Sequence, residues 1–215
     1  MTMLAYHAGF WCRRIAKSVV PFMVAAAILS LPASADDPGA SVRSKAKPLA
    51  AFKLEDHRGS SFTNANLDGK WTLILLGFTQ CPDVCPFTLQ NIASVLEQMS
   101  TRVSPSRMPQ VVFVGVDPER DRPVLGDYVH YFNDEFIGAT GEWSELKPFV
   151  ESLEGFVRID RKSPDDKDYQ VHHSAIVSVI DPEGSLVAGL KPPMDPSQTA
   201  LFLSELMLKH HRMTN

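Results

Sequence analysis

Cysteine is scarce in this chain of 215 residues: there are three, at positions 12, 81 and 85. That excludes a scaffold stapled by several disulfides. It also excludes a four-cysteine zinc site, and the C-x-x-C-H of haem attachment is absent. Long apolar runs are missing as well. The run at 18–31 has 14 residues and is interrupted by Pro21, whereas a membrane helix needs about 17–25. Charge of one sign is not in excess, with 21 basic against 25 acidic residues and a net charge of −4. No Lys/Arg block occurs, so nothing recommends a nucleic-acid partner. Internal repeats and low-complexity segments are absent too.

What is there begins with residues 1–35, which read as a secretory leader. Arg13, Arg14 and Lys17 form a basic start, 18–31 an apolar middle, and Ala33-Ser34-Ala35 a small-residue cleavage site. An uncleaved N-terminal anchor is the competing reading, since a basic flank suits that equally. Arg13-Arg14 resembles a twin-arginine signal only in the pair itself. Cys12 precedes the apolar run and leaves with the leader. Cleavage after Ala35 leaves 180 residues with two cysteines and a net charge of −7. A chain of that length can bury one full hydrophobic core. Its remaining dithiol is therefore spared from structural duty and available for chemistry.

Residues 36–48 are polar and read as a flexible tether; 49–211 read as one domain. Ala51-Phe52-Lys53-Leu54 and Ser61-Phe62-Thr63 flank the turn Asp56-His57-Arg58-Gly59, an N-terminal hairpin. A strand over 71–78 leads to a helix over 86–99. The continuous apolar run 111–116 reads as a buried parallel strand. A helix over 122–132, a short segment at 136–138 and a helix over 144–153 follow. Next come a segment at 156–159 and an acidic loop at 163–168. The strand 175–180 turns through Asp181-Pro182-Glu183-Gly184 into an antiparallel return over 185–190. An amphipathic helix over 197–209 closes the chain. This order predicts an α/β fold, a thioredoxin-like sandwich with an N-terminal hairpin extension. In such a layout His172-His173-Ser174 faces the first strand-to-helix turn.

That turn carries Cys81-Pro82-Asp83-Val84-Cys85-Pro86. Free N–H groups in a helix's first turn favour thiolate over thiol. Three uses remain open for the pair: redox exchange, a structural bridge, or capture of a soft metal. A bridge here closes a very short loop and gains little entropy. Redox enzymes of thioredoxin type use C-x-x-C with a facing proline. Here the spacing is one longer, and no proline lies between Pro164 and Pro182. Histidine occupies the facing segment instead, which favours metal. His172 and His173 are neighbours on an extended segment, so only one aims at the thiols. The following strand is apolar on both faces and does not say which. Asp117-Pro118 ends a strand, either as a turn or cap or as an acceptor near the site. His210, His211 and Met213 form an alternative ligand set, competing with a frayed polar C-terminus.

Three segments together resemble the SCO/SenC family: 77–86, Phe113-Val114-Gly115-Val116-Asp117-Pro118-Glu119-Arg120-Asp121, and Asp168-Tyr169-Gln170-Val171-His172-His173-Ser174. The resemblance runs from about Leu49 to Leu208. Members are membrane-associated or periplasmic copper proteins that help assemble cytochrome c oxidase. The resemblance implies a thioredoxin-like domain holding one copper ion, Cu(I) or Cu(II), through Cys81, Cys85 and His173. The chemistry agrees: thiolates suit Cu(I), and imidazole suits Cu(II). It implies a copper carrier, with thiol reduction of the target as an auxiliary activity, exported to the periplasm or anchored facing it. The implied partner is the copper-site subunit of an oxidase, with other periplasmic copper carriers or thioredoxin-like reductases as further partners. The alternative is a periplasmic thiol–disulfide reductase. Two departures stand out. Family members commonly carry Asp where this chain has His172, so a supporting carboxylate is lost. Gln80 occupies a variable position often held by His or an aromatic residue.

Overall fold

The computed structural model describes residues 39–163 and 165–214. They belong to one compact unit; the leader read over 1–35, with its basic start and Cys12, lies outside the described residues. Ten strands and five α-helices follow one another among those described. The first three strands are β1 (Ala40–Pro48), β2 (Lys53–Asp56) and β3 (Ser61–Thr63). Then come β4 (Thr72–Gly77), helix α1 (Val84–Ser100), β5 (Gln110–Gly115), α2 (Pro118–Asp121), α3 (Leu125–His130) and β6 (Ile137–Thr140). Helix α4 (Trp143–Ser152) leads to β7 (Val157–Asp160), β8 (Gln170–His173), β9 (Val177–Ile180), β10 (Ser185–Leu190) and α5 (Pro196–Thr214).

Eight strands form one mixed sheet in the order β1-β10-β9-β4-β5-β6-β2-β3, and β7 and β8 form a separate ribbon. β4 is central, parallel to β5 and antiparallel to β9, and every one of its residues is buried. A strand covered on both faces reads as an unbroken apolar run, which is why this one was visible. Its side chains alternate between two cores. Leu73 and Leu75 join Leu89, Ile92, Val95 and Met99 of α1 with Leu203 of α5. Ile74 and Leu76 join Leu146, Phe149 and Val150 of α4 with Phe62 of the β2–β3 hairpin. The sheet therefore carries helices on both faces, and the hairpin attaches through β2 to β6.

Several expectations change. Residues 40–48, read as tether, form an edge strand paired antiparallel with β10. An edge strand takes its stability from backbone pairing and can keep polar side chains, so composition concealed it. The helix expected over 122–132 is shorter, α3 over Leu125–His130, and Pro123 separates it from the preceding short helix α2. Proline lacks an N–H and disfavours helical geometry in the residue before it. The segments at 136–138 and 156–159 are β6 and β7. His172 and His173 end β8, so they belong to the β7–β8 ribbon rather than to the head of β9. α5 continues to Thr214, so His210, His211 and Met213 sit on a helix where a frayed terminus was expected.

Candidate metal centre

β4 and β5 run in parallel register, so their C-terminal ends fall side by side, with Gly77 opposite Gly115. Neither position has room for a side chain. A Cβ on Gly77 would lie 3.0 Å from Cys85 Sγ and 2.8 Å from Phe113 Cζ; one on Gly115 would lie 2.8 Å from Asp121 Oδ2. Each strand thus ends in a glycine whose bare α-carbon admits a functional group from the helix that follows. Gly77→Ala is expected to destabilise the protein by about 1–3 kcal/mol, the usual cost of overpacking. It should also displace the Cys85 thiol. Urea unfolding alongside a copper competition assay reads both effects.

After Gly77 the chain turns, with the Cys81 N–H donating to the Phe78 carbonyl at 3.1 Å. Cys81 is partly exposed. Cys85 is buried in the first turn of α1, and both are free thiols. Pro86 follows inside that turn, where a missing N–H costs nothing. Cys85 Sγ lies 3.5 Å from His173 Nε2. One ligand atom from each of Cys81, Cys85 and His173 falls within 4.8 Å of the others. His173 Nδ1 lies 2.9 Å from the Ser174 carbonyl. A carbonyl only accepts, so Nδ1 carries the proton and Nε2 offers its lone pair toward the thiols. The ring also stands edge-on to Phe78, centroids 5.8 Å apart.

The two thiols are unlike. Cys81 is drawn down to about 4, chiefly because the Cys85 thiol donates to it, with the backbone N–H groups of Asp83 and Cys85 helping. Cys85 is pushed up, first by donating that bond and then by burial. Near neutral pH the pair holds one thiolate and one thiol.

His172 points away from this centre and pairs with Asp160 on β7, Nε2 to Oδ2 at 3.2 Å. Gln80 is held by Arg120, whose Nη1 donates to Oε1 at 3.2 Å. Asp117 is buried and does not cap α2 with its side chain. It accepts the Tyr169 hydroxyl at 2.7 Å and pairs closely with Arg120 Nε. Asp121 was not singled out from the sequence, yet it is the carboxylate that shapes the thiol loop. It accepts from Thr79 N at 2.7 Å, Thr79 Oγ1 at 2.8 Å and Asp117 N at 3.0 Å. Burial pushes it up to about 6. Its signal was present, four residues beyond Asp117 at the end of a strand parallel to β4. Tyr169 also went unnoticed; its ring lies between the guanidinium groups of Arg120 and Arg161, at 3.8 and 3.9 Å from its centroid. His210, His211 and Met213 are on α5 and take no part in the thiol cluster. No helix among the described residues is long and apolar enough to cross a membrane.

The family model SCO1/SenC matches residues 40–208. The SCO2-like protein of Rickettsia felis is 31% identical over 178 residues, 76% of this chain and 85% of that protein. The mitochondrial protein SCO1 of Saccharomyces cerevisiae is 35% identical over 140 residues, 65% of this chain and 47% of its own length. The chain thus spans about half of that yeast relative. Among solved structures, Bradyrhizobium japonicum ScoI with copper bound matches with a TM-score of 0.64 at 31% identity, covering 74% of this chain and 98% of that one. Yeast Sco1 with copper bound matches with a TM-score of 0.68 at 31% identity, covering 74% and 87%. The α/β, thioredoxin-like class expected from the sequence is thereby shown.

Proposed function

The chain belongs to the SCO1/SenC family, and we propose that it carries one copper ion on Cys81, Cys85 and His173 and delivers it to the copper-site subunit of a cytochrome c oxidase. The carrying observation is the approach of His173 Nε2 to Cys85 Sγ at 3.5 Å, with Nδ1 already committed to Ser174. Two sulfurs and one imidazole nitrogen accept Cu(I) readily and keep Cu(II) accessible. Copper is the cargo here. The chain's own residues hold it at the open end of the sheet, where partly exposed Cys81 gives an acceptor protein a first point of ligand exchange. Residues 1–35 supply export, so the domain works in the periplasm, free or tethered if the leader stays attached. Relatives solved with copper bound support the reading.

Anaerobic titration of the reduced protein with Cu(I), with metal and thiols counted in one sample, tests it. One copper per chain and loss of both thiols to alkylation are expected. Because Cys81 is already a thiolate and Cys85 is not, binding near neutral pH should release about one proton per copper. Free, alkylatable thiols at one copper per chain would sink the assignment.

A second reading has its own support. A lowered, partly exposed Cys81 beside a raised, buried Cys85 is the asymmetry of an attacking and a resolving thiol. In that role Cys81 attacks a target disulfide and forms a mixed disulfide. Cys85 then releases the target's second thiol, leaving Cys81–Cys85 oxidised and the target reduced by two electrons. A thioredoxin-like reductase must restore the pair. Reduction of the acceptor's cysteines before metal loading joins the two activities.

A further inference from the structure

At the other end of the sheet a second cluster forms around α5. Its His210 ring stands edge-on to Trp71, centroids 5.2 Å apart. His210 Nε2 lies 2.9 Å from Glu183 Oε2, yet it is shut off from solvent and no hydrogen bond is in line with it. Asp181, just beyond β9, is 4% exposed. It accepts the N–H groups of Glu183 at 3.1 Å and Ser185 at 2.8 Å, both on Oδ1, and none on Oδ2. One ligand atom from each of Asp181, Glu183 and His210 falls within 4.8 Å of the others. The Nε2 of His210, shut off from solvent, therefore stands beside two carboxylates, one buried and one exposed.

We propose that Asp181, Glu183 and His210 form a second metal site, for a borderline divalent cation such as Zn(II). One imidazole nitrogen and two carboxylate oxygens suit Zn(II) or Cu(II), and the lack of sulfur disfavours Cu(I). Two carboxylates beside one imidazole make a donor set whose negative charge a cation offsets. Burial already pushes Asp181 up, and Glu183 adds to it. The cluster borders a cavity of about 540 Å³ lined in part by Trp71, Met108, Met207 and His211, so water can complete the coordination. Thr72 and Ile180 pair at this end of β4 and Gly77 closes the other. The five steps from Thr72 to Gly77, at about 3.3 Å each, put at least about 16 Å between the sites. The ion here is therefore not the cargo on the thiols. It pins the end of α5 to the β9–β10 turn.

The experiment titrates zinc chloride into the full chain carrying Cys81→Ser and Cys85→Ser, which removes the copper site and makes the outcome independent of the carrier reading. One zinc per chain is expected, with a rise in Tm. Adding Glu183→Gln, at an exposed side chain whose loss leaves the fold intact, should weaken binding at least tenfold and cancel the rise. His210→Gln should do the same, and His172→Ala should change neither. In the chain that keeps His210, its Nε2 resonance should shift on zinc addition. No zinc uptake would leave a plain His210–Glu183 ion pair and overturn the site. So would uptake with an unshifted His210 Nε2, or uptake indifferent to Glu183→Gln.

Discussion

Cys81→Ser and Cys85→Ser are each expected to lower Cu(I) affinity by well over 100-fold, measured by competition against a Cu(I) chelator under nitrogen. Losing a supporting partner of a ligand already costs about 10–100-fold, and here the ligand itself goes. Serine keeps the volume and removes the soft sulfur, leaving one thiolate and an imidazole for an ion that prefers sulfur. Cys85 is fully buried and Gly77 is shaped to receive its sulfur, so Cys85→Ser should cost some stability as well; Cys81→Ser should not. His173→Ala should spare much of the Cu(I) binding and remove most of the Cu(II) binding. His172→Ala should leave both intact, because that ring is turned to Asp160. Loss of Cu(II) on His172→Ala with retention on His173→Ala would show that the wrong neighbour holds the ion.

The choice between those neighbours shows where the sequence stopped being legible. Alternation in 175–180 cannot choose between them, because β9 lies inside the sheet and is apolar on both faces. The histidines belong to β8, where Val171 is buried, His172 exposed and His173 half-buried. Alternation within 170–173 assigns His173 inward with Val171, once that strand is recognised. It was concealed because four residues paired only with β7 make too short a pattern. The thiol turn was legible for the opposite reason: β4 and β5 are covered on both faces and announce themselves as apolar runs. Asp121 stood in view four residues beyond Asp117, but its role, like those of Thr79, Arg120 and Tyr169, was not legible. Their roles depend on β4 and β5 ending in register and on Tyr169 stacking against Arg120 and Arg161, and local composition encodes neither. His210 was named as a ligand beside His211 and Met213, but its neighbours Glu183 and Asp181 escaped for a similar reason, since they lie 27 and 29 positions away on a turn.

The test with the widest consequence separates carrier from reductase. Oxidising Cys81 and Cys85 to a disulfide is expected to abolish Cu(I) uptake, because the thiolate is the ligand. The bridge should form readily between sulfurs that already converge. Cys81, drawn down to about 4, should still be alkylated at pH 6, where an ordinary thiol is almost wholly protonated. Sustained turnover asks for more than such a thiolate. Nucleophilicity falls with thiol pKa, and a buried Cys85 held well above its ordinary value must lose its proton to resolve the mixed disulfide. With a reducing partner and a model disulfide supplied, the protein should therefore give at most about one turnover per chain on the assay timescale. The reduced, copper-loaded form should meanwhile transfer its ion to an apo oxidase copper-site domain. His173→Ala discriminates the two: it should impair transfer from the Cu(II) form and leave thiol exchange unchanged, since His173 supplies a ligand and not a redox equivalent. Turnover that runs to many cycles and survives His173→Ala, with no copper passing to the acceptor in either redox state, would replace the carrier by a reductase.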